Sequence, residues 1–241
     1  IIQGRYGESF NTQVAFNASA AADIGNHEIK FGFIYEQRTQ RGYDYNSSAL
    51  WSRMRALTNF HITELDTDNP IPIYGSDGTF SDTVIYYRRF TEQSQFRFDK
   101  SLRQKLGLDE QGLDFILVDS YDYDNNTIQY YDKDGVVHVA NVDGDLYDIT
   151  MFNADELLDN GNYVANYYGF DHTGKKLNYK PTLDDFFTKT DDRGDLARPI
   201  AAFEPIYMAG YIQDKFAFND LIFNVGVRVD RFDANQPVLK D

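Results

Sequence analysis

Ile206-Tyr-Met-Ala-Gly-Tyr-Ile-Gln-Asp-Lys-Phe216-Ala-Phe-Asn-Asp-Leu221-Ile-Phe-Asn-Val-Gly-Val-Arg-Val-Asp-Arg-Phe232 reads as one β-hairpin. From Leu221 the apolar residues Leu221, Phe223, Val225, Val227 and Val229 alternate with Asn224, Gly226, Arg228 and Asp230, which predicts a strand with one oily and one polar face. Upstream, Ile206, Met208, Ile212, Phe216 and Phe218 form a poorer apolar row interrupted by Asp214, and only Asn219-Asp220 remains for a turn. Two strands of about ten residues on a tight turn suit a soluble sheet or a bilayer-spanning barrel hairpin, because ~9–11 tilted residues cross a membrane.

The start of the chain repeats this design. Phe10, Thr12, Val14, Phe16, Ala18, Ala20 and Ala22 alternate with Asn11, Gln13, Asn17 and Ser19. Asp23-Ile24-Gly25-Asn26 supplies turn chemistry, after which Ile29, Phe31, Phe33 and Tyr35 alternate with Glu28, Lys30, Gly32 and Glu36. In the intervening segment, Thr39 to Pro205, the alternation is mostly lost. Short helices are expected at Ser47–Leu57, Asp99–Leu106, Asn153–Leu158 and Thr182–Phe187, and short strands at Thr83–Arg89, Asp114–Val118, Thr127–Tyr131 and Gly135–Ala140. The reading is therefore three parts: a barrel hairpin at 1–38, a large folded insertion at 39–205, and a second barrel hairpin at 206–241 that leads into the next loop. Both short turns fall on one side of the sheet, so the insertion emerges from the other side, the asymmetry of outer-membrane barrels.

Composition narrows the function. No run approaches the ~18–20 apolar residues of a membrane helix, whereas a barrel dilutes its apolar residues by alternation and stays compatible. The chain opens Ile-Ile without a start methionine or signal pattern and is read as a fragment. The absence of cysteine removes disulfides and thiolate chemistry from the sequence, and 18 Tyr and 19 Phe favour β structure. Between Asp109 and Asp159, 14 acids face one base, Lys133, which concentrates −13 of the net −15 there. With no basic stripe to offset that field, a nucleic-acid partner is not expected.

Several motifs carry a family resemblance. Gly210-Tyr-Ile-Gln-Asp-Lys-Phe216 followed by Leu221 to Phe232 resembles the Tyr-x-Gln-Asp and Gly-x-Arg-x-Asp strand pair of TonB-dependent outer-membrane receptors. Gly25-Asn-His-Glu-Ile-Lys-Phe-Gly-Phe33 is similar to another strand of that family. Phe152-Asn-Ala-Asp-Glu-Leu-Leu158, Tyr168-Gly-Phe-Asp171, Asp184-Asp-Phe-Phe187 and Arg198-Pro-Ile200 resemble the large Oar-like receptors of Bacteroidetes-type bacteria. The resemblance implies a plugged barrel of about 22 strands that imports a ligand with energy from TonB. This chain would hold about four of those strands: an all-β-dominated part of a transmembrane antiparallel barrel with a large α+β extracellular loop. The implied partners are outer-membrane lipid, the TonB complex through parts outside this chain, an extracellular ligand and a surface lipoprotein. No plug, TonB box or carboxypeptidase-regulatory-like domain is recognisable in the sequence.

Candidate site residues are few. Asp119, Asp122, Asp124, Asn126, Asp132, Asp134, Asp143, Asp145 and Asp148 recur at short spacing among glycines, and hard oxygen ligands in that pattern suit Ca²⁺. Asp122, Asp124, Asp143 and Asp145 are the likeliest seeds of a structural calcium site, although no full twelve-residue calcium loop is present; a solvated acidic loop is the simpler account. Trp51 with Arg53 and Arg55 suits a carbohydrate- or peptide-binding spot through stacking and charge, against ordinary core packing of a lone Trp. The pairs Tyr86-Tyr87, Tyr130-Tyr131 and Tyr167-Tyr168 suit a ligand surface. His27, His61, His138 and His172 are scattered, and no nucleophile elbow or phosphate loop occurs, so no enzyme is expected. The competing class is a secreted or surface-anchored β-rich binding or adhesion protein; a polysaccharide hydrolase would need a carboxylate pair that nothing in the sequence singles out.

Overall fold

The computed structural model describes residues 4–162 and 164–236. In chain order the strands are β1 (Tyr6–Ile24), β2 (His27–Tyr45), β3 (Ile71–Tyr74), β4 (Phe80–Ile85), β5 (Phe115–Asp122), β6 (Thr127–Tyr131), β7 (Val137–Asn141), β8 (Ala165–Tyr168), β9 (Ile206–Phe218) and β10 (Leu221–Asp233). The α-helices are α1 (Ser47–Leu57), α2 (Arg97–Leu106), α3 (Ala154–Leu158) and α4 (Leu183–Thr188). The fold is mostly β, in antiparallel sheets. It forms two compact units, one built from Gly7–Asp44 and the chain from Ala165 onward, the other from Tyr45–Val164 with the residues before Gly7.

The strand unit follows from alternation and turn chemistry. Two residues, Gly25 and Asn26, join β1 to β2, and two, Asn219 and Asp220, join β9 to β10. The first residue of each pair has positive φ, +62° at Gly25 and +54° at Asn219, a conformation open to Gly and tolerated by Asn. The sheet order is β1-β2-β9-β10. His27 of β2 lies opposite Phe216 of β9, and Phe216 lies opposite Phe223 of β10, so both tight turns share one end of the sheet. Because β2 enters from that end and β9 returns to it, everything between them leaves from the other end.

β2 runs past Thr39 to Tyr45 because it finds new partners beyond the end of β9: Gln40 bridges Phe203, and β8 pairs with β2. The segment expected as one insertion, 39–205, is thus shared between the units, with 39–44 and 165–205 belonging to the strand unit.

The register aligns the apolar rows on one face. Val227 of β10, Ile212 of β9 and Phe31 of β2 share a row, flanked by Val225, Asp214 and Ile29 on one side and by Val229, Gly210 and Phe33 on the other. The band ends where Gln37, Thr39 and Arg41 replace apolar residues on the same face of β2, and Arg231 and Asp233 on β10. Those last two pair with each other at 3.1 Å. Nothing in the sheet covers the band: Val227, at its centre, is 63% exposed. Its one carboxylate, Asp214, lies 2.7 Å from His27 Nδ1. The opposite face carries polar ties: Arg228 pairs with Asp230 along β10 at 3.0 Å, and across strands Arg228 donates to Tyr207 Oη at 2.7 Å and Lys215 pairs with Glu28 at 3.5 Å. Gly32 lies under the Tyr211 ring, where a Cβ would come within 2.5 Å of ring carbon.

The Tyr45–Val164 unit has a conventional core. Asn46 Oδ1 caps α1 by accepting from Ser48 N and Ala49 N, both at 3.1 Å, and Leu50, Met54 and Leu57 recur on its inner face. α2 buries Phe98, Leu102 and Leu106 and stops at Gly107, whose φ is +70°. Phe98 stacks on Phe152 at 4.3 Å, and Ile116 and Ile128 bring in the β5-β6-β7 sheet. At the centre is a charged cluster. Asp99 and Arg103, one turn apart on α2, are wholly buried and pair at 2.9 Å; Asp99 Oδ1 accepts from Asn59 N at 2.8 Å, and Arg103 donates to the Asp114 carbonyl at 2.7 Å.

His61 is buried beside this cluster, with Nδ1 3.3 Å from Asp99 Oδ2. Burial lowers its pKa from 6.5 to about 4, against the pull of Asp99. The unfolded chain therefore takes up this proton near pH 6.5 while the folded unit resists to about pH 4. Stability contributed by neutral His61 is full above pH 6.5 and is lost as pH falls through that window, by up to about 3 kcal/mol. Glu156 acts in the opposite sense: burial raises its pKa, so its unfolded form ionises first as pH rises above 4.5. Comparing His61→Gln with the parent isolates the histidine. Urea midpoints of the parent should fall more steeply between pH 6.5 and 4 than those of the variant, and parallel curves would count against the buried neutral histidine.

Candidate functional site

A groove of about 770 Å³ in the Tyr45–Val164 unit collects aromatic side chains from separate elements. The Asn46 cap fixes the start of α1 and so the position of Trp51 at its second turn. Tyr121 stands at the end of β5, Tyr123 in the β5–β6 turn, and Tyr147 in the segment before α3, with Tyr45 from the end of β2. Trp51 and Tyr147 meet at a centroid separation of 6.0 Å and a 53° tilt. Tyr121 Oη donates to Asn126 Oδ1 at 2.9 Å, and Tyr123 stands 79% exposed at the rim. Burial raises the Tyr147 pKa above the ordinary phenol value.

Two carboxylates complete the lining. Asp148 Oδ1 accepts from Thr150 N at 2.8 Å and so holds its own segment, while Asp145 is exposed and its carbonyl accepts from Lys105 Nζ. No Lys or Arg is among the lining residues.

The residues singled out from sequence separate in the structure. Trp51 belongs to the groove, but its two companions turn elsewhere. Arg53 Nε donates to the Glu156 carbonyl at 2.9 Å and pairs with Asp159 at 2.7 Å, fastening α1 to α3; Arg55 pairs with Asp119 at 2.6 Å. Of the calcium seeds, Asp122 uses its carboxylate to build the β5–β6 turn, accepting from Asp124 N at 3.0 Å, Asn125 N at 3.2 Å and Asn125 Nδ2 at 2.7 Å. The Asn125 amide leads the hydrogen bonds that hold its pKa low. Asp124 and Asp143 are exposed, and Asp145 faces the groove. Among the described residues, no three His, Cys, Asp or Glu side chains converge as metal ligands would.

Much of the Asp and Gly spacing has a conformational origin. Asp132, Asp171 and Asp191 each begin an Asp-x-x-Gly turn in which one carboxylate oxygen accepts the amides two and four residues on, at 2.9–3.0 Å. The glycines, Gly135, Gly174 and Gly194, have φ of +80°, +88° and +84°. Tyr86, Tyr87 and Tyr131 line a smaller cavity of about 320 Å³ with Arg88 and Lys133, Tyr130 stacks on His138 at 5.2 Å, Tyr167 is buried and Tyr168 is exposed. Tyr45, Tyr121, Tyr123 and Tyr147 are the aromatic groove residues that the sequence did not single out, since they come from separate elements, and Asp145 and Asp148 stood out only as acids of a calcium-like pattern. The nearest signal was the Tyr-x-Tyr run at 121–123. No family model, curated protein or solved structure matches this chain, so the bare apolar band and the aromatic groove carry its functional reading.

Proposed function

We propose that this chain is part of the wall of a TonB-dependent outer-membrane receptor, without enzymatic activity, whose Tyr45–Val164 unit stands on the cell surface and takes part in ligand capture. One observation supports this above the others: an apolar band about nine residues deep per strand, open to solvent and closed off by Gln37, Thr39, Arg41, Arg231 and Asp233. Tilted strands of that depth match a hydrocarbon layer of ~25–30 Å. The polar opposite face suits a barrel interior, and both short turns at one end suit the periplasmic side. Strands β1 and β10, at the two ends of the sheet, would be joined by further strands, since open edges do not persist in lipid. Contact with TonB and any lipoprotein partner would belong to residues outside this chain.

A specific observation favours a second reading. Asp214, with its partner His27, sits on the apolar face, which is more easily accommodated if a second protein layer covers that face, as in a secreted or surface β-rich adhesion protein. Fractionation separates the two. The native protein is expected in the outer membrane and should migrate differently in detergent gels before and after heating, as a closed barrel does. A protein recovered from the soluble fraction without detergent would overturn the receptor reading.

A further inference from the structure

We infer that the groove around Trp51 binds an organic cation, an ammonium or guanidinium group carried on a ligand. Trp51, Tyr121, Tyr123 and Tyr147 line the groove, and the face of an aromatic ring carries the negative pole of its quadrupole, which attracts a positive group. Asp145 and Asp148 add two carboxylates to the same lining. The surroundings reinforce the preference: the 109–159 stretch carries 14 acids against one base, and no Lys or Arg lines the groove. Such a field draws cations in and repels phosphates and carboxylates. A neutral sugar would stack on the rings but leave the carboxylate field without a counterpart, whereas a cation engages both. A volume of about 770 Å³ has room for one or two basic side chains with their stems.

Every lining residue belongs to the Tyr45–Val164 unit, so the inference is independent of whether the strands sit in a membrane. Trp51 is the sole tryptophan of the sequence, and its emission reports on this groove alone.

The test titrates the full chain, held in non-ionic detergent, with acetyl-Arg-Gly-Arg-amide, with spermidine and with maltotriose, and follows Trp51 emission. A saturable change is expected with the peptide, with spermidine or with both, and none with maltotriose; the pair of cations distinguishes a basic peptide from a free polyamine. Tyr123→Ala, at a site too exposed to disturb the fold, should weaken binding at least about threefold. Asp145→Asn with Asp148→Asn, which keeps an acceptor for Thr150 N, should weaken it at least about tenfold. Added salt should weaken binding in the parent more than in the double variant. Unaltered circular dichroism confirms that each variant is folded. Saturation by maltotriose but by neither cation, no saturable response to any of the three, or equal affinity in the parent and the double variant would overturn the inference.

Discussion

Replacing Arg103 with methionine is expected to destabilise the Tyr45–Val164 unit by about 3–5 kcal/mol, a large part of what a small domain has to spare. The reason lies in what remains after the guanidinium is gone. Asp99 is wholly buried, and its oxygens already accept from Asn59 N at 2.8 Å and Gln95 Nε2 at 3.1 Å, so the carboxylate cannot turn outward to find water. Its nearest remaining ionisable neighbour, His61, is held neutral at ordinary pH by burial. Methionine restores most of the volume, which separates the charge effect from a cavity effect. The Asp114 carbonyl also loses a donor at 2.7 Å, a smaller penalty. Adding Asp99→Asn removes the stranded charge while keeping an acceptor for Asn59 N, so the double variant should recover a substantial share of the loss. Urea unfolding followed through Trp51 emission gives the cycle. A double variant no better than Arg103→Met would show that the cost arises from packing and not from an uncompensated carboxylate.

The same cluster shows where sequence reading stops. Asp99 and Arg103 sit four apart on a short helix, a spacing that ordinarily marks an exposed ion pair. The helix itself was expected at Asp99–Leu106 and runs from Arg97, but its charged residues reach the core only because Asn59, from a left-handed turn with φ +63°, presents its backbone amide to Asp99. That contact spans 40 positions and leaves no periodic trace. The hairpins were legible for the opposite reason. Alternation at Leu221–Val229 and Ile29–Tyr35 is local, and Gly25 and Asn219 announce their turns through backbone conformations few other residues accept. Of the groove's aromatic residues only Trp51 was singled out from the sequence, whereas Tyr121, Tyr123 and Tyr147 come together through the sheet and loop that carry them. Asp122 and Asp132 were legible as acids but not as turn builders, since their spacing shows charge and not the hydrogen bonds their carboxylates accept from following amides.

Val227→Arg is expected to cost about 2–4 kcal/mol when the protein is unfolded reversibly from lipid vesicles, the price of a cation at mid-bilayer on the lipid side of a barrel. Val227 is the position for this test because Ile212 and Phe31 share its row and the polar ends of the band lie on either side. The cost should fall with distance from that row. Val229→Arg, one row closer to the Arg231–Asp233 end, should be milder, because its guanidinium can reach the interface. Asn224→Arg, on the opposite face where Asn224 meets Gln213, should change stability by no more than about 0.5 kcal/mol. A soluble sandwich makes a different forecast. If a second sheet covered this face, Val227 and Val229 would both be interior, their penalties would be similar, and they would be measurable in water without amphiphile. A penalty graded by depth and present only in lipid therefore supports the membrane wall, and a flat penalty in aqueous buffer would assign the face to a protein core. The Asp214–His27 pair sharpens the comparison. In a membrane, replacing both with leucine extends the apolar face and should leave insertion intact or improved, whereas under a covering sheet the same change removes a paired polar group from a packed interface and its sign depends on how well two leucines fit there.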